Sequence, residues 1–277
     1  MKRTIKALSY TQVVYDWLEH TRHPRILHIF DAVCNLISER KEILSVVTSR
    51  IGDGPFNLVI GNGVLFSEQF NIETAISIHD NQLQIGVLAI DISNANLWNP
   101  HPGWKRLHGK RDEILNRLSS IEISRYRSAI PAPLLSSLTT SMVSADISST
   151  IDVAKKLAGL GIGLTPSGDD IIVGALYAAW IIHPLEIASV LARGIAETTA
   201  PLTTSLSAAW IRSAGRGEAG ILWHKFFNAL VLNDAKLTNS AMGSILSVGE
   251  TSGFEALLGF TQVMFDYKRR IIDECPS

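Results

Sequence analysis

Two short segments of this chain carry residue types that bind small polar ligands. Residues 163–170 read GLTPSGDD and combine glycine, two hydroxyl side chains and two carboxylates. Residues 249–255 read GETSGFE and repeat glycine, threonine, serine, glycine and an acidic residue in the same order. A glycine turn that starts a helix leaves N–H groups free, and with nearby hydroxyls these favour a phosphate, carboxylate or carbamoyl group. The pair predicts two loops that meet around a small anionic ligand.

The carboxylates of Asp169 and Asp170 indicate a second kind of chemistry. Acidic side chains in a first helical turn suit the helix dipole, but they repel a bare anion. A proton on one of them, or a bridging Mg²⁺, would reconcile these charges. Asp169 and Asp170 are therefore the candidate catalytic residues, and Mg²⁺ held by the same two side chains is the one cofactor left open.

A third segment with hydroxyl groups and a cation supplements the two loops. It includes Thr203, Thr204, Ser207 and Arg212, and the planar guanidinium of Arg212 suits an anion. Asn57 follows a Gly-Asp-Gly-Pro turn that precedes a strand. The alternative interpretation is that these residues are ordinary helix caps and turn residues. The candidate substrate-binding residues are Gly163, Thr165, Ser167, Gly168, Thr203, Thr204, Ser207, Arg212, Thr251, Ser252, Gly253, Glu255 and Asn57.

The elements that must position these residues change in type along the chain. Short β-branched runs at 44–48, 57–60, 75–78 and 83–90 predict strands, and residues 79–81 predict a hairpin turn. A Pro/Asn-rich stretch at 94–103 ends this pattern. We therefore expect an α+β chain, with a mainly antiparallel β-rich domain and an initial helix over 1–103, and a helical domain over 104–277.

Helical periodicity and helix-start residues dominate the second half. The predicted helices cover 104–118, 131–144, 150–159, 168–182, 184–198, 203–214, 217–231, 234–247 and 253–271. The apolar run 171–182 has 12 residues, fewer than the roughly 20 that span a membrane, and predicts a buried helix.

Composition excludes several classes of function. The 25 Lys and Arg residues balance 26 Asp and Glu residues, which argues against a nucleic-acid or membrane-surface partner. The two cysteines, Cys34 and Cys275, lack metal-ligand spacing and suit the cytoplasm. With only 18% charged residues, much apolar surface needs cover, so we expect oligomerisation or partner subunits.

Familiar catalytic motifs are missing from the sequence. No G-x-G-x-x-G follows a predicted strand, and no P-loop motif occurs. The histidines form no H-x-x-x-H pair, and no G-x-S-x-G elbow is present. Dinucleotide binding, P-loop chemistry, zinc binding and triad hydrolysis are therefore not indicated.

At the loop segments the sequence resembles the family of the oxamate carbamoyltransferase subunit AllH. The resemblance is carried by residues 163–170, by the segment from Thr203 to Arg212, and by residues 249–259. It covers the C-terminal half of the chain well, while the first half is similar mainly at residues 54–57 ahead of a strand.

The resemblance implies a multi-subunit enzyme of allantoin breakdown, in which this subunit works with two others. That enzyme transfers the carbamoyl group of carbamoyl-oxamate to phosphate, giving oxamate and carbamoyl phosphate. Two alternatives stay open: an accessory subunit that binds a ligand or partners without doing chemistry, and a Mg²⁺-dependent phosphotransferase built on Asp169 and Asp170. The family is broader than this pathway, so the substrate is not fixed by the resemblance.

Overall fold

The computed structural model describes residues 3–118 and 128–274. The chain divides into two compact units, Met1–Pro100 and His101–Ser277. The first is rich in strands and the second is helical, which confirms the predicted α+β class.

One nine-stranded sheet dominates the first unit. Its strand order is β2-β3-β4-β5-β1-β8-β7-β6, and β9 pairs with β1. Among the described strands, β1 pairs in parallel with β8 and β9, and β4 in parallel with β5, while the other pairings are antiparallel. The elements are β1 (Arg3–Tyr10), α1 (Gln12–His20), β2 (Arg25–Ile29), β3 (Val33–Ile37), β4 (Ile43–Thr48), β5 (Asn57–Ile60), α2 (Phe66–Gln69), β6 (Ile76–His79), β7 (Gln82–Ile85), β8 (Leu88–Asp91) and β9 (Asn96–Leu97).

The single strand predicted at 83–90 is wrong, because the chain reverses in the middle of it. Gly86 has a φ of 55°, a left-handed conformation that glycine adopts easily. Residues Ile85 and Leu88 then pair across an antiparallel hairpin, so the run forms β7 and β8. The strands β1, β2 and β3 were not predicted, although the initial helix was and corresponds to α1.

The second unit consists of helices around a common apolar core. They are α3 (Trp104–Gly109), α4 (Arg111–Leu118), α5 (Ala132–Val143), α6 (Ile147–Leu157), α7 (Ser167–Ile182), α8 (Leu185–Thr199), α9 (Ser205–Gly215), α10 (Ile221–Leu232), α11 (Ala235–Leu246) and α12 (Ser252–Glu274), with a 3₁₀ turn at Ala200–Leu202. The helix predicted at 104–118 is divided at Lys110, whose φ of −111° and ψ of 18° leave the helical region.

Helix α7 lies at the centre of this unit. All residues of its apolar run 171–182 are buried, which confirms the predicted buried helix. Helices α5, α8, α9 and α12 pack around it. Within the described part of the chain, no helix is long and apolar enough to cross a membrane. The first turn of α7 holds the 163–170 segment in place at one end of this core.

Candidate functional site

The two helices that follow the loops, α7 and α12, cross at a pair of glycines. Gly174 faces the carbonyl of Ala256, and Gly259 faces the carbonyl of Ile171. A methyl group at either glycine would overlap the facing oxygen, so the helices can approach this closely only at glycine. The step in sequence from Gly174 to Gly259 equals the step from Ile171 to Ala256. The same contact is therefore made twice about a local two-fold axis.

The loops in front of these helices lie side by side. The hydroxyl oxygens of Thr165 and Ser252 are 2.8 Å apart and share a hydrogen bond. The Ser252 hydroxyl also lies close enough to Asp170 to lower the pKa of that carboxyl, and the Ser167 hydroxyl does the same for Glu255. Each carboxyl therefore adjoins a serine of the other loop. The structure brings the two predicted loops together.

Of the carboxyls of Asp170 and Glu255, that of Asp170 has one oxygen without a hydrogen-bond partner in the described structure. Its Oδ2 atom is buried without a hydrogen-bond partner within the described residues. Burial raises the pKa of Asp170 to about 8, against the hydroxyls of Ser252 and Thr165, and the nearby carboxylates of Asp169 and Glu255 raise it further. The surroundings of Asp170 therefore favour its protonated form near neutral pH.

Glu255 occupies the equivalent position in the second loop, since the step from Asp170 to Glu255 equals that from Gly174 to Gly259. It is fully buried, and the Ser128 hydroxyl donates to its Oε2 at 2.7 Å. Burial raises the pKa of Glu255, opposed by Ser128, the N–H of Ala129 and the Ser167 hydroxyl. Ser128 did not stand out in the sequence, because its contact joins residues 127 positions apart and leaves no local pattern.

Asp169 has both carboxyl oxygens engaged by other elements. The N–H of Gly159 donates to Oδ1 at 2.8 Å, and the Thr203 hydroxyl donates to Oδ2. Burial raises the pKa of Asp169, against these donors and the Ser207 hydroxyl. The residue joins the turn after α6 to the segment that precedes α9.

The N–H groups at the start of the two helices are largely used within the loops. Gly168 donates to the carbonyl of Leu160 at 2.9 Å, and Gly253 donates to that of Val248 at 3.0 Å. The N–H groups of Asp169 and Asp170 both donate to Pro166. Hydroxyl groups are therefore the more accessible donors, and the expected set of outward-pointing N–H groups is smaller than the sequence suggested.

The remaining candidates on the loops differ in their surroundings. Gly163 is exposed, with a φ of 96° and open space around it. Gly168 packs on the carbonyl of Leu157 and Gly253 on that of Ile245, so both are close-approach glycines. Thr251 is exposed at the rim.

The 203–207 segment lies against the first loop. The Thr204 hydroxyl donates to the carbonyl of Leu164 at 2.6 Å and accepts from the N–H of Ser207 at 3.1 Å. Thr203 contacts Asp169, as described above. The segment therefore lies next to the first loop, as predicted, and its hydroxyl groups are used in contacts within the protein.

Arg212 is not brought to the loops, and Asn57 lies in the other unit. Arg212 is exposed in the last turn of α9, roughly 12 Å along the axis from Thr204. Asn57 belongs to the first unit, where its amide donates to the carbonyl of Gly52 at 2.9 Å and stabilises the turn before β5.

Asp169 and Asp170 are the predicted ligands of a metal ion at this place. Across residues 3–118 and 128–274, no group of three or more His, Cys, Asp and Glu side chains is arranged to hold a metal ion. Because Asp169 is engaged by Gly159 and Thr203, Asp170 is the one carboxyl of the predicted pair with a free oxygen. Mg²⁺ held by Asp169 and Asp170 stays a prediction.

Comparison with known proteins identifies one family over both units. Residues 157–264 match the family model described as oxamate carbamoyltransferase subunit AllH. Residues 6–97 match the model of the AllH family N-terminal domain. The first match contains both loops and the 203–207 segment. No solved structure matches the chain.

Proposed function

The chain belongs to the AllH family, and we propose that it is a subunit of an oxamate-carbamoyltransferase-like enzyme. The reaction would transfer the carbamoyl group of carbamoyl-oxamate to phosphate in the breakdown of allantoin and other purine products. The observation that carries this proposal is the meeting of the two loops at Thr165 and Ser252, inside the region that matches the family.

The hydroxyl groups of the loops suit the anionic part of the substrates. In the proposal Thr165, Ser167 and Thr251 donate hydrogen bonds to substrate oxygens and to the oxygen that gains charge during transfer. Such donors contribute most where they are fixed before the reaction, and the Thr165–Ser252 hydrogen bond holds two hydroxyls in place. A small anion therefore has donors from both loops.

The protonated carboxyl of Asp170 suits the role of a general acid. A phosphate oxygen attacks the carbamoyl carbon, the bond between that carbon and the oxamate nitrogen breaks, and the nitrogen needs a proton to leave as the amide of oxamate. With a pKa raised to about 8, chiefly by burial, Asp170 carries this proton at neutral pH. Its protonation also removes one negative charge that would repel phosphate.

The central experiment replaces Asp170 by Asn in the enzyme assembled with its partner subunits. We expect carbamoyl transfer to fall at least about 100-fold, the lower end of what a general acid contributes. Glu250→Gln is the matched control, because Glu250 is an exposed acidic residue of the second loop. Unchanged turnover in a folded Asp170→Asn complex would rule out the acid role.

A ligand screen tests the substrate class independently of the partner subunits. Oxamate, carbamoyl-oxamate, carbamoyl phosphate and phosphate are compared by the shift in melting temperature of the purified chain. A ligand that binds the native state at 100 times its Kd stabilises it by about 2.7 kcal/mol. Absence of a shift with all four compounds would count against a substrate site in this chain alone.

A second candidate function, an assembly role without chemistry, is favoured by the apolar tips of the loops. Ile162 is 93% exposed, and Leu160, Leu164 and Val248 are exposed as well. Exposed apolar groups of this kind often mark contacts between proteins. If Asp170→Asn leaves turnover intact while Ile162→Ser prevents co-purification with the partner subunits, the assembly role replaces the catalytic one.

A further inference from the structure

A set of hydrogen bonds centred on Asp169 holds the first loop. This set, called the brace below, joins Asp169 to Gly159 and Thr203, and Thr204 to Leu164. The Asp169 side chain is 1% exposed, and its two oxygens accept from donors on two separate elements. One donor is the N–H of Gly159 at 2.8 Å, and the other is the hydroxyl of Thr203. The carboxylate thus links the start of α7 to the turn after α6 and to the segment before α9.

The same brace holds the loop at a second point. The hydroxyl of Thr204 donates to the carbonyl of Leu164, the residue that precedes Thr165. Ser207 is 1% exposed, its hydroxyl has no hydrogen-bond partner within the described residues, and it lies close enough to Asp169 to lower the pKa of that carboxyl. The brace therefore fixes the backbone on both sides of residues 160–163.

The second loop contains no equivalent of Asp169. Phe254 stands at the corresponding position, since the step from 169 to 254 equals the step that relates Gly174 to Gly259. The second loop still forms its turn, its serine contact and its close glycine. A carboxylate at this position is thus not required for the loop to fold, and its presence in the first loop calls for another explanation.

We propose that Asp169 is a positioning residue, which fixes the first loop through Gly159 and Thr203 so that the Thr165 hydroxyl and the Asp170 carboxyl face the ligand. The role of Asp169 rests on the proposed function for the reaction that it serves. Under this proposal Asp170 alone transfers a proton. Asp169 acts through the position of the first loop and through its own charge.

The charge of Asp169 connects this brace to the proton on Asp170. The groups that face Asp170 in the described structure are Asp169 on α7, Glu255 on α12, and the hydroxyls of Thr165 and Ser252 on the loops. Burial is the main cause of its raised pKa, and the two carboxylates raise it further. Removing the charge of Asp169 should therefore lower the pKa of Asp170.

The first test follows the carboxyl carbon of Asp170 by ¹³C NMR across pH in the full chain, with Asp170→Asn used to assign its signal. In the wild type we expect a midpoint near 8. Asp169→Asn should shift that midpoint downward, whereas Glu250→Gln should leave it in place. An unchanged midpoint in Asp169→Asn would overturn the electrostatic part of the proposal.

The second test uses two substitutions at Thr203, of which only one keeps the hydroxyl group. Thr203→Val removes the donor to Asp169, and Thr203→Ser keeps it. We expect faster amide hydrogen exchange in residues 159–165 for Thr203→Val and wild-type exchange for Thr203→Ser. Equal exchange in all three proteins would overturn the brace.

The third test measures the assembled complex with the same two Thr203 variants. Misplacing a catalytic constellation by about 1 Å can lower the rate about 100-fold, so kcat should fall by at least about 10-fold in Thr203→Val and recover in Thr203→Ser. KM should change less than kcat, because the hydroxyl does not touch the substrate. An equal kcat for both variants contradicts the positioning role.

The two proposals can fail separately. If the complex has no carbamoyl-transfer activity, the proposed function fails, while the NMR titration and the exchange rates still decide whether Asp169 positions the loop. If activity is present but neither Asp169→Asn nor Thr203→Val alters these measurements, the positioning role fails and the proposed function stands.

Discussion

The loops at 163–170 and 249–255 have the same order of residue types, yet they hold their carboxyl groups differently. Asp170 and Glu255 occupy equivalent positions in the first turns of α7 and α12. Glu255 is fully buried and accepts a hydrogen bond from Ser128, whereas Asp170 keeps an oxygen without a partner in the described residues. Hydrogen bonds offset part of the cost of burying a carboxyl, whereas an oxygen without a partner leaves a cost that a ligand can relieve. The two copies of the loop therefore differ in how completely their carboxyl oxygens are hydrogen-bonded within the described residues.

The largest expected effect is at the crossing of α7 and α12. It tests whether the close contacts of Gly174 and Gly259 with the facing helix stabilise the protein. Gly174→Ala and Gly259→Ala each place a methyl group against a facing carbonyl, so each should lower the free energy of unfolding by about 3 kcal/mol. Because both contacts belong to one helix crossing, the double variant should lose less than the sum. Chemical denaturation measures all three proteins.

Gly194→Ala is the matched control for this prediction. Gly194 lies in α8, where an added methyl group would meet side chains at 3.6 Å or more. Replacing a helical glycine by alanine without a clash should stabilise the protein by about 0.5–1 kcal/mol. Similar losses at positions 174 and 194 would show that the close crossing is not the cause.

The next effect compares Asp170 with Glu255 through the pH dependence of stability. The folded-state pKa of Asp170 lies near 8, above the unfolded value of 3.8, so the folded protein binds the extra proton and loses stability as pH rises through that window. Asp170→Asn should remove this loss, so its free energy of unfolding should rise relative to that of the wild type as the pH goes from 4 to 8. Thermal unfolding at several pH values measures it.

Glu255→Gln sharpens the same comparison. Burial raises the pKa of Glu255 as well, but Ser128 and Ala129 stabilise its charged form, so the pH-dependent gain should be smaller than at Asp170. An equal or larger gain for Glu255→Gln would contradict the conclusion that the carboxyl of Glu255 is the better hydrogen-bonded of the two.

A smaller effect concerns the hydrogen bond that joins the loops. Thr165→Val and Ser252→Ala should each lower the free energy of unfolding by about 1 kcal/mol, because each leaves one hydroxyl of the pair without its partner. A double-mutant cycle should give a coupling energy of about 1 kcal/mol. A coupling near zero would mean that the loops do not depend on each other in solution.

The smallest effect is expected at Ile162 and Val248, which are exposed apolar residues beside the first and the second loop. Ile162 is 93% exposed, so Ile162→Ser should change the free energy of unfolding by less than about 0.5 kcal/mol. Val248→Ser should remain within the same limit, since Val248 is 45% exposed. Denaturation curves of the isolated chain decide this, and a larger loss would place these side chains in the core.

Local patterns predicted the helices well, because each one carries its own periodicity and turn residues. The order of residues also indicated that the two loops form a pair, and the structure places them together. The sequence could not show β1 to β3, because β1 lacks a clean alternation and lies between two strands that are distant in sequence. The division into domains at 103 and 104 stays a prediction, as do the roles assigned to the site residues.

The contacts that distinguish the two loops were beyond sequence reasoning for a physical reason. Asp169 and Thr203 were both candidates, but the bond between them depends on how α7 and α9 pack. The same holds for Ser128 and Glu255. The amide of Asn57 is used inside a turn, and the predicted ligand contact of this residue stays a prediction.

The reciprocal crossing of α7 and α12 also has a consequence for the order of folding. Its two glycines lie on helices that α8 to α11 separate in sequence, so the chain must close a long loop before the site exists. Such closure becomes less favourable as the loop lengthens. Helices α8 to α11 can form local contacts earlier, since they connect near neighbours in sequence. During synthesis the candidate site is therefore completed late, when residues beyond 259 have left the ribosome, and until then the Asp170 loop lacks its partner.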